Sequence, residues 1–500
     1  MLDFNDQVKA RLTKLDKFKE MGVDAYPNKF NRTHDSKMLH ERKDEFLKSQ
    51  EVVSFAGRVV RFNRKGKLCF MHLKDRYGRL QVVCAKDLVG EADYEIVKMI
   101  DLGDIIGVEG PMMETQTGEY SVKASKVTML AKAIRPLPVP KEVVDEQGNK
   151  KVFNEFKDVD TRYRERYIDM ALNDDVREVF VKRAKIMQSI REYLIEKGFI
   201  EVETPTLQPI YGGANAKPFT THHNAADMTL YLRVAPELYL KRCIVGGMEK
   251  VFEFSKNFRN EGMDRTHSPE FTGLEFYEAY ADYNDMMVHF ENIYERACIA
   301  ANGTTKIEYQ GKTIDFKAPW LRLTMFEAIQ KYAGIDVTKL SDDELKAEIG
   351  KRHGEKLEGE WSRGRAMIEL FELTCEANLV QPVIIKDMPQ ESTPLCKKHR
   401  SVPGLIEQFE PYANGWELGN AYTELNDPVR QRALFEEQVA RGRGGEGETH
   451  PMDENYLHAM ESGLPPTGGV GFGIDRMVML LTNQQTIRDV QLFPLMKPEE

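Results

Sequence analysis

A chain of 500 residues is too long for one hydrophobic core, and two or three domains are expected. Hydrophobic residues at 41% and charged residues at 30% are ordinary for a soluble protein; no run of about 18 apolar residues is present to span a bilayer, and the opening MLDFNDQVKA lacks the basic flank and apolar stretch of a signal peptide. A net charge of -10 argues at first against a nucleic-acid partner, while six scattered cysteines without a C-x-x-C pair suggest neither a zinc ribbon nor a disulfide scaffold and fit a reducing cytoplasm.

Residues 1–50 read as a charged helical segment, with Val8, Leu12, Leu15 and Phe18 at three- to four-residue spacing. From Val52 the period changes: VVSFAGRVV, KLCFMHLKD, RLQVVC, DIIGVEG and YSVKASKVTML are short strand-like segments between glycine and charged turns. Five such strands within residues 51–135 predict a small closed barrel of the OB-fold type, an architecture with a nucleic-acid face. The charge is unevenly spread. Residues 1–140 carry 25 Lys plus Arg against 20 Asp plus Glu, and between Gly57 and Arg79 eight bases face one acid, Asp75.

RPLPVP at 135–140 breaks regular structure and opens a predicted linker over 136–160. From 161 to 500, helical stretches such as DVREVFVKRAKIMQSIREYLIEKG alternate with FIEVETP, LYLRV, KVFEFSKNFR and FTGLEFYEAYA, which predicts one large α+β domain, and residues 324–379 read as a helical insertion within it.

Four segments carry chemistry. GFIEVETPTL follows a long helix and contains Pro205. NFRNEGMDRTHSPEFTGLEFYEAYADY (257–283) reads as two strands joined by a polar loop. Arg259 can grip a phosphate or carboxylate bidentately, Glu261 lies on the same strand face, and Phe271 offers a stacking plane. WELGNAYTELND (416–427) places Glu417 and Glu424 seven apart, a carboxylate pair of the kind that Mg²⁺ binds. PPTGGVGFGIDRMVMLLTN (465–483) runs glycines along a strand into an apolar helix with Arg476 at the junction, and it is neither a Walker A loop nor a Rossmann fingerprint.

Together these segments resemble the class II aminoacyl-tRNA synthetases of subclass IIb, over nearly the whole chain. The resemblance implies an antiparallel catalytic sheet flanked by helices, and a homodimer through the segment around Pro205. It implies an ATP site at Arg259, Glu261, His267, Phe271, Glu417 and Arg476, with Arg259 and Arg476 catalytic, and Mg²⁺ on Glu417 and Glu424. Among the members, GGANAKPF (212–219), VAPELYLKR (234–242), LEFY (274–277) and GNAYTELND resemble the lysyl enzymes. They imply a lysine pocket of Gly213, Glu237, Arg259, Glu275, Tyr277, Asn420, Tyr422 and Glu424, with Glu237 and Glu275 on the α-amino group. The aspartyl and asparaginyl relatives must accept an anion or an amide, and acidic Glu237 separates this chain from them. In the barrel, Arg58, Phe70 and Gln81 stand where the subclass contacts the anticodon of its tRNA, and the bases of 57–79 become phosphate contacts. ATP, L-lysine and the lysine tRNA are the implied partners of a cytoplasmic enzyme that uses no membrane.

Overall fold

Alternation of apolar and polar residues after Val52 builds the N-terminal barrel. In the computed structural model, which describes residues 5–139, 141–144, 150–153, 156–353, 361–443 and 450–499, the chain divides into two units, Met1–Arg162 with Tyr167–Leu172, and Tyr163–Arg166 with Asn173–Glu500. The first begins with helix α1 (Asp6–Glu20), capped by the Asn5 side chain. Its barrel strands are β1 (Val52–Lys65), β2 (Leu68–Lys74), β3 (Arg79–Ala85), β4 (Ile105–Glu114), β5 (Tyr120–Lys123) and β6 (Lys126–Ala131), with helix α2 (Lys86–Met99) between β3 and β4.

Strand β1 is long enough to pair with β4 through its first half and β2 through its second, and that double pairing closes the ring β1-β2-β3-β5-β4. A Cβ at Gly57, where the exchange of partners occurs, would stand 2.9 Å from the Lys74 carbonyl. Inward positions Val53, Phe55, Val59, Met71, Leu73, Val82 and Val108 are all buried, leaving the alternate positions as an outer face. Part of the expected linker forms a hairpin, β7 (Lys141–Val144) with β8 (Lys150–Phe153); Pro140, residues 145–149 and residues 154–155 of that expectation lie outside the described residues.

In the second unit, helix α3 (Asp174–Glu196) leads into β9 (Ile200–Glu201). After helix α4 (Glu237–Val245) come β10 (Lys250–Phe258), β11 (Glu270–Ala279), helix α5 (Tyr283–Asn302) and β12 (Leu321–Thr324). The sheet is completed by β13 (Val383–Pro389), β14 (Leu405–Ala413), β15 (Trp416–Glu417), β16 (Gly419–Thr423) and β17 (Thr467–Gly473), the last running into helix α9 (Ile474–Leu481). Its order is β12-β13-β14-β16-β17-β11-β10-β9, with β15 on β14. The pairings at its two ends, β12 with β13 and β10 with β9, are parallel, so the sheet is mixed and not wholly antiparallel as expected. The parallel pair explains the helices of 324–379. Helices α6 (Met325–Ala333), α7 (Asp342–His353) and α8 (Arg363–Thr374) are the crossover that joins β12 to β13; residues 354–360 lie outside the described residues.

Period two along β11 sorts its side chains. Leu274 and Phe276 face the core formed with α3 and α5, where Phe290 stacks on Phe472 at 4.1 Å between ring centroids. Glu275 and Tyr277 face the opposite side, where α4 packs. The second face of the central strands is therefore lined with polar groups and held over a solid apolar layer.

Candidate active site

All the candidate residues of the second unit line one cavity of 490 Å³ on that polar face. Strand register arranges them in rows. Asn257 lies opposite Phe271, then Glu275 opposite Gly471 and Asn420, then Tyr277 opposite Gly469 and Tyr422. The rows Glu275–Gly471–Asn420 and Tyr277–Gly469–Tyr422 are two residues apart, about 6.6 Å along the strands.

One end of the cavity is cationic. The Arg259 guanidinium lies 5.1 Å from the Phe271 ring centroid, and its Nε is buried without a hydrogen-bond partner among the described residues. Burial presses the Arg259 pKa down, against the pull of Glu261 first and Glu275 next. A buried cation with a spare donor is a ready seat for a phosphate or carboxylate oxygen. Arg476 donates through Nη1 to the Glu417 carbonyl at 3.0 Å, and its Nη2 stands 3.0 Å from His267 Nε2. His267 Nδ1 in turn contacts Asp264 at 2.7 Å. Despite the opposing effect of burial, N–H groups of Thr266 and His267 hold that carboxyl down at about 2.

The other end is acidic. Tyr277 donates to Glu275 at 2.9 Å, and Tyr422 donates to both oxygens of Glu237 at 3.0 Å. Burial, with Glu237 adding to it, pushes the Glu275 carboxyl up to about 8. The glycines of β17 make the room. A Cβ at Gly469 would stand 2.0 Å from Glu424 Oε1 and 2.5 Å from the Tyr277 ring, while one at Gly471 would meet nothing nearer than 3.7 Å. Gly213, with φ +90, approaches from the loop before α4; a Cβ there would stand 2.9 Å from that of Glu237. Sequence reading missed a further member of this end: Lys241, buried between Glu237 and Glu424. Its signal was the four-residue spacing from Glu237 on a helix.

The expected metal pair needs correction. Glu417 and Glu424 flank the five-residue strand β16, which at about 3.3 Å per residue sets their backbones on the order of 20 Å apart, beyond sharing one Mg²⁺ with ligand distances near 2.1 Å. Glu424 belongs to the acidic end. Glu410, rather than Glu424, approaches Glu417, across the turn between β14 and β15, where Tyr412 is the register partner of Glu417. Burial, then Glu417, raise the Glu410 carboxyl to about 8, as expected where two carboxylates share a site that a cation would neutralise. Burial raises Glu417 too, with Arg476 and Arg259 opposing. The same seven-residue spacing that drew attention to Glu424 separates Glu410 from Glu417.

In the barrel, Phe70 and Gln81 share the outer face, with His72 beside them: His72 is the register partner of both Gln81 and Arg61. Phe70 is half-buried and Gln81 is 7% exposed. Arg58 directs Nη1 to the Gly103 carbonyl at 2.8 Å. Arg61, Arg64, Lys65, Lys67, Arg76 and Arg79 are exposed, but Lys74 is not a free phosphate contact: it is buried, with Nζ 3.1 Å from the carbonyls of Ala171 and Leu172. Its missing signal is long-range, since those carbonyls lie about a hundred residues away.

Comparison with known proteins identifies two matching families. A family described as tRNA synthetases class II (D, K and N) matches residues 158–497, and the OB-fold nucleic acid binding domain matches residues 53–130. The chain is 47% identical to the lysine–tRNA ligase of Moorella thermoacetica over 498 residues, 99% of each chain. It is 45% identical to that of Clostridium novyi over 500 residues, 99% of this chain and 95% of the relative. With that of Porphyromonas gingivalis it shares 45% over 511 residues, 100% of this chain and 87% of the relative.

Proposed function

The chain belongs to the class II tRNA synthetases of the aspartate, lysine and asparagine group, and from that premise we propose that its cavity activates L-lysine with ATP and delivers it to the 3′ end of the lysine tRNA. The observation that carries the choice of lysine is the convergence of Glu237, Glu275 and Glu424 on one end of a cavity whose other end is Arg259. A lysine laid along the strands fits this polarity. Its carboxylate meets Arg259, its α-ammonium lies at the Glu275 row, and its distal ammonium lies one row deeper, at Tyr277, Tyr422 and Glu424. The reach from Cα to the side-chain nitrogen, about 6 Å, matches the row spacing.

The lysine carboxylate is ionised at neutral pH and needs no general base. It attacks the α-phosphorus of ATP in line, the bond from that phosphorus to the bridging oxygen breaks, and pyrophosphate leaves with the electron pair. Arg259 holds carboxylate and α-phosphate together, Arg476 and His267 meet the distal phosphates, and Phe271 and Arg476 cover the adenine, so positioning and charge neutralisation supply the rate. Mg²⁺, for which Glu417 and Glu410 are the fitting carboxylates, would neutralise phosphate charge there when bound. A ribose hydroxyl of the tRNA then attacks the lysyl carbonyl and releases AMP.

The barrel's outer face, with Phe70, His72 and Gln81 beside exposed bases, suits unstacked anticodon nucleotides. Exposure of Ile195, Ile200 and Leu207, at 55%, 49% and 47%, around the Pro205 segment supports a homodimer through that edge. No helix among the described residues is long and apolar enough to cross a membrane; six unpaired cysteines support the cytoplasmic placement. Pyrophosphate exchange with ATP tests the reading: lysine should support it, whereas aspartate and asparagine should not. Exchange with aspartate alone would overturn the choice of amino acid.

A further inference from the structure

Helix α4 carries an ammonium into the acidic end of the cavity. Lys241 has no exposed side-chain surface; its Nζ lies 2.6 Å from Glu237 Oε1 and forms a second ion pair with Glu424, itself 1% exposed. The rings of Tyr422 and Tyr277 flank it at 5.6 and 5.9 Å. Burial by itself would lower the Lys241 pKa, but Glu237 and Glu424 reverse the effect and hold the amine protonated. This residue belongs to none of the assigned substrate contacts, yet it occupies two of the carboxylates that bind the amino acid.

The charges at this end can be counted. A fourth carboxylate, Glu253, is neutralised by Arg233 at 2.5 Å. His450 adds no charge, because burial and then Lys241 depress its pKa to about 4. What remains is Glu237, Glu275 and Glu424 against Lys241: with all three acids ionised, as they are when ammonium groups bind, three carboxylates face one resident ammonium, two charges short of balance. A diamino acid brings two ammonium groups, and its carboxylate is met separately by Arg259. With lysine in place, three ammoniums face three carboxylates.

We propose that Lys241 is a positioning residue for the amino-acid pocket: its ammonium, fixed between Glu237 and Glu424, is a resident counter-ion that leaves the pocket matched to a substrate with two ammonium groups. The inference rests on the lysine reading above. Lys241 orients both carboxylates before substrate arrives and limits the unpaired charge to what the substrate can neutralise. Without it, a third buried carboxylate has no partner and takes up a proton or turns away.

The test is steady-state pyrophosphate exchange by the full-length protein. Wild-type activity with lysine is the baseline, and its absence would fail the lysine reading and leave the role of Lys241 as a separate matter of lysine binding by calorimetry. Lys241→Met should raise KM for lysine by about 100-fold, the scale of breaking a buried pair, with KM for ATP unchanged. An unchanged or lowered KM for lysine would overturn the proposal, a lowered value showing that Lys241 competes with substrate. Since Lys241→Met can fail to fold, the pair Glu237→Gln and Glu237→Gln/Lys241→Met carries the same test with the ion pair removed as a unit. If charge balance is the role, deleting Lys241 in the Glu237→Gln background leaves two carboxylates for two ammoniums and does not weaken lysine binding further. A further tenfold loss there would mean that Lys241 serves packing alone, and would overturn the proposal.

Discussion

Tyr412 donates its hydroxyl to Glu410 at 2.7 Å while its backbone pairs in register with Glu417, so one tyrosine ties Glu410 to the carboxylate that lines the cationic end of the cavity. With Mg²⁺ on Glu410 and Glu417 and the amino acid at Glu424, as proposed above, metal binding and amino-acid binding are separable. Glu410→Gln should shift the Mg²⁺ dependence of pyrophosphate exchange to higher concentration by about tenfold or more and leave KM for lysine unchanged. Glu424→Gln should do the reverse. A Mg²⁺ titration of both variants distinguishes them, and a Mg²⁺ shift in Glu424→Gln alone would restore Glu424 as the ligand.

Gly471 is open where Gly469 is crowded. Gly471→Ala should therefore fold with a melting temperature within about 2 °C of wild type, because its methyl clashes with no protein atom, and should lose activation by on the order of 100-fold, because that methyl stands in the cavity between Glu275 and Asn420. Gly469→Ala should instead lower the melting temperature itself. Thermal melts run beside exchange assays check both outcomes.

Glu275 sets a pH dependence. In the empty pocket its carboxyl is raised to about 8, and an ammonium binds the ionised form. Lysine binding below that pH must expel a proton, so KM for lysine should fall as pH rises toward 8 and level off above it. The stability effect has the opposite sense: a carboxyl raised from its usual 4.5 contributes stability that is full below 4.5 and is lost as pH climbs through 8. Glu275→Gln should flatten the pH dependence of KM, and an unaltered slope in that variant would assign it elsewhere.

Phe70→Ala removes the stacking plane from the barrel while the second unit keeps its whole cavity. Stacking on one base is worth about 1–3 kcal/mol, which predicts a loss of roughly 10- to 100-fold in kcat/KM for tRNA charging. Lysine-dependent pyrophosphate exchange should be unaffected. Equal loss in both assays would remove the anticodon role.

Local pattern made much of this legible. Alternation after Val52 gave the barrel strands, except that YSVKASKVTML, read as one strand, is two, β5 and β6, and the strings around Arg259, Tyr422 and Arg476 gave the residues that line the cavity. What escaped was set by pairing between distant segments. Glu410 lies outside the WELGNAYTELND string and meets Glu417 only because β14 and β15 fold back on each other. Lys241 was visible as the i+4 partner of Glu237, but its second partner, Glu424, arrives from a strand far along the chain. The hairpin of β7 and β8 hid in lysine- and glutamate-rich sequence that reads as linker, and the crossover role of α6–α8 required knowing that β12 and β13 run parallel.

Most sheets finish both faces with their own side chains. Here the middle strand, β17, presents glycines to one face, and a trough runs between the side chains of β11 and β16. A lysyl-adenylate lying in that trough would be the absent layer of residues, packed on one side against peptide planes and on the others against neighbouring strands. Ligand occupancy then completes the architecture of the sheet, and saturation with a non-reactive adenylate analogue at 100 times its Kd would add about 2.7 kcal/mol to the stability of the unit that carries it.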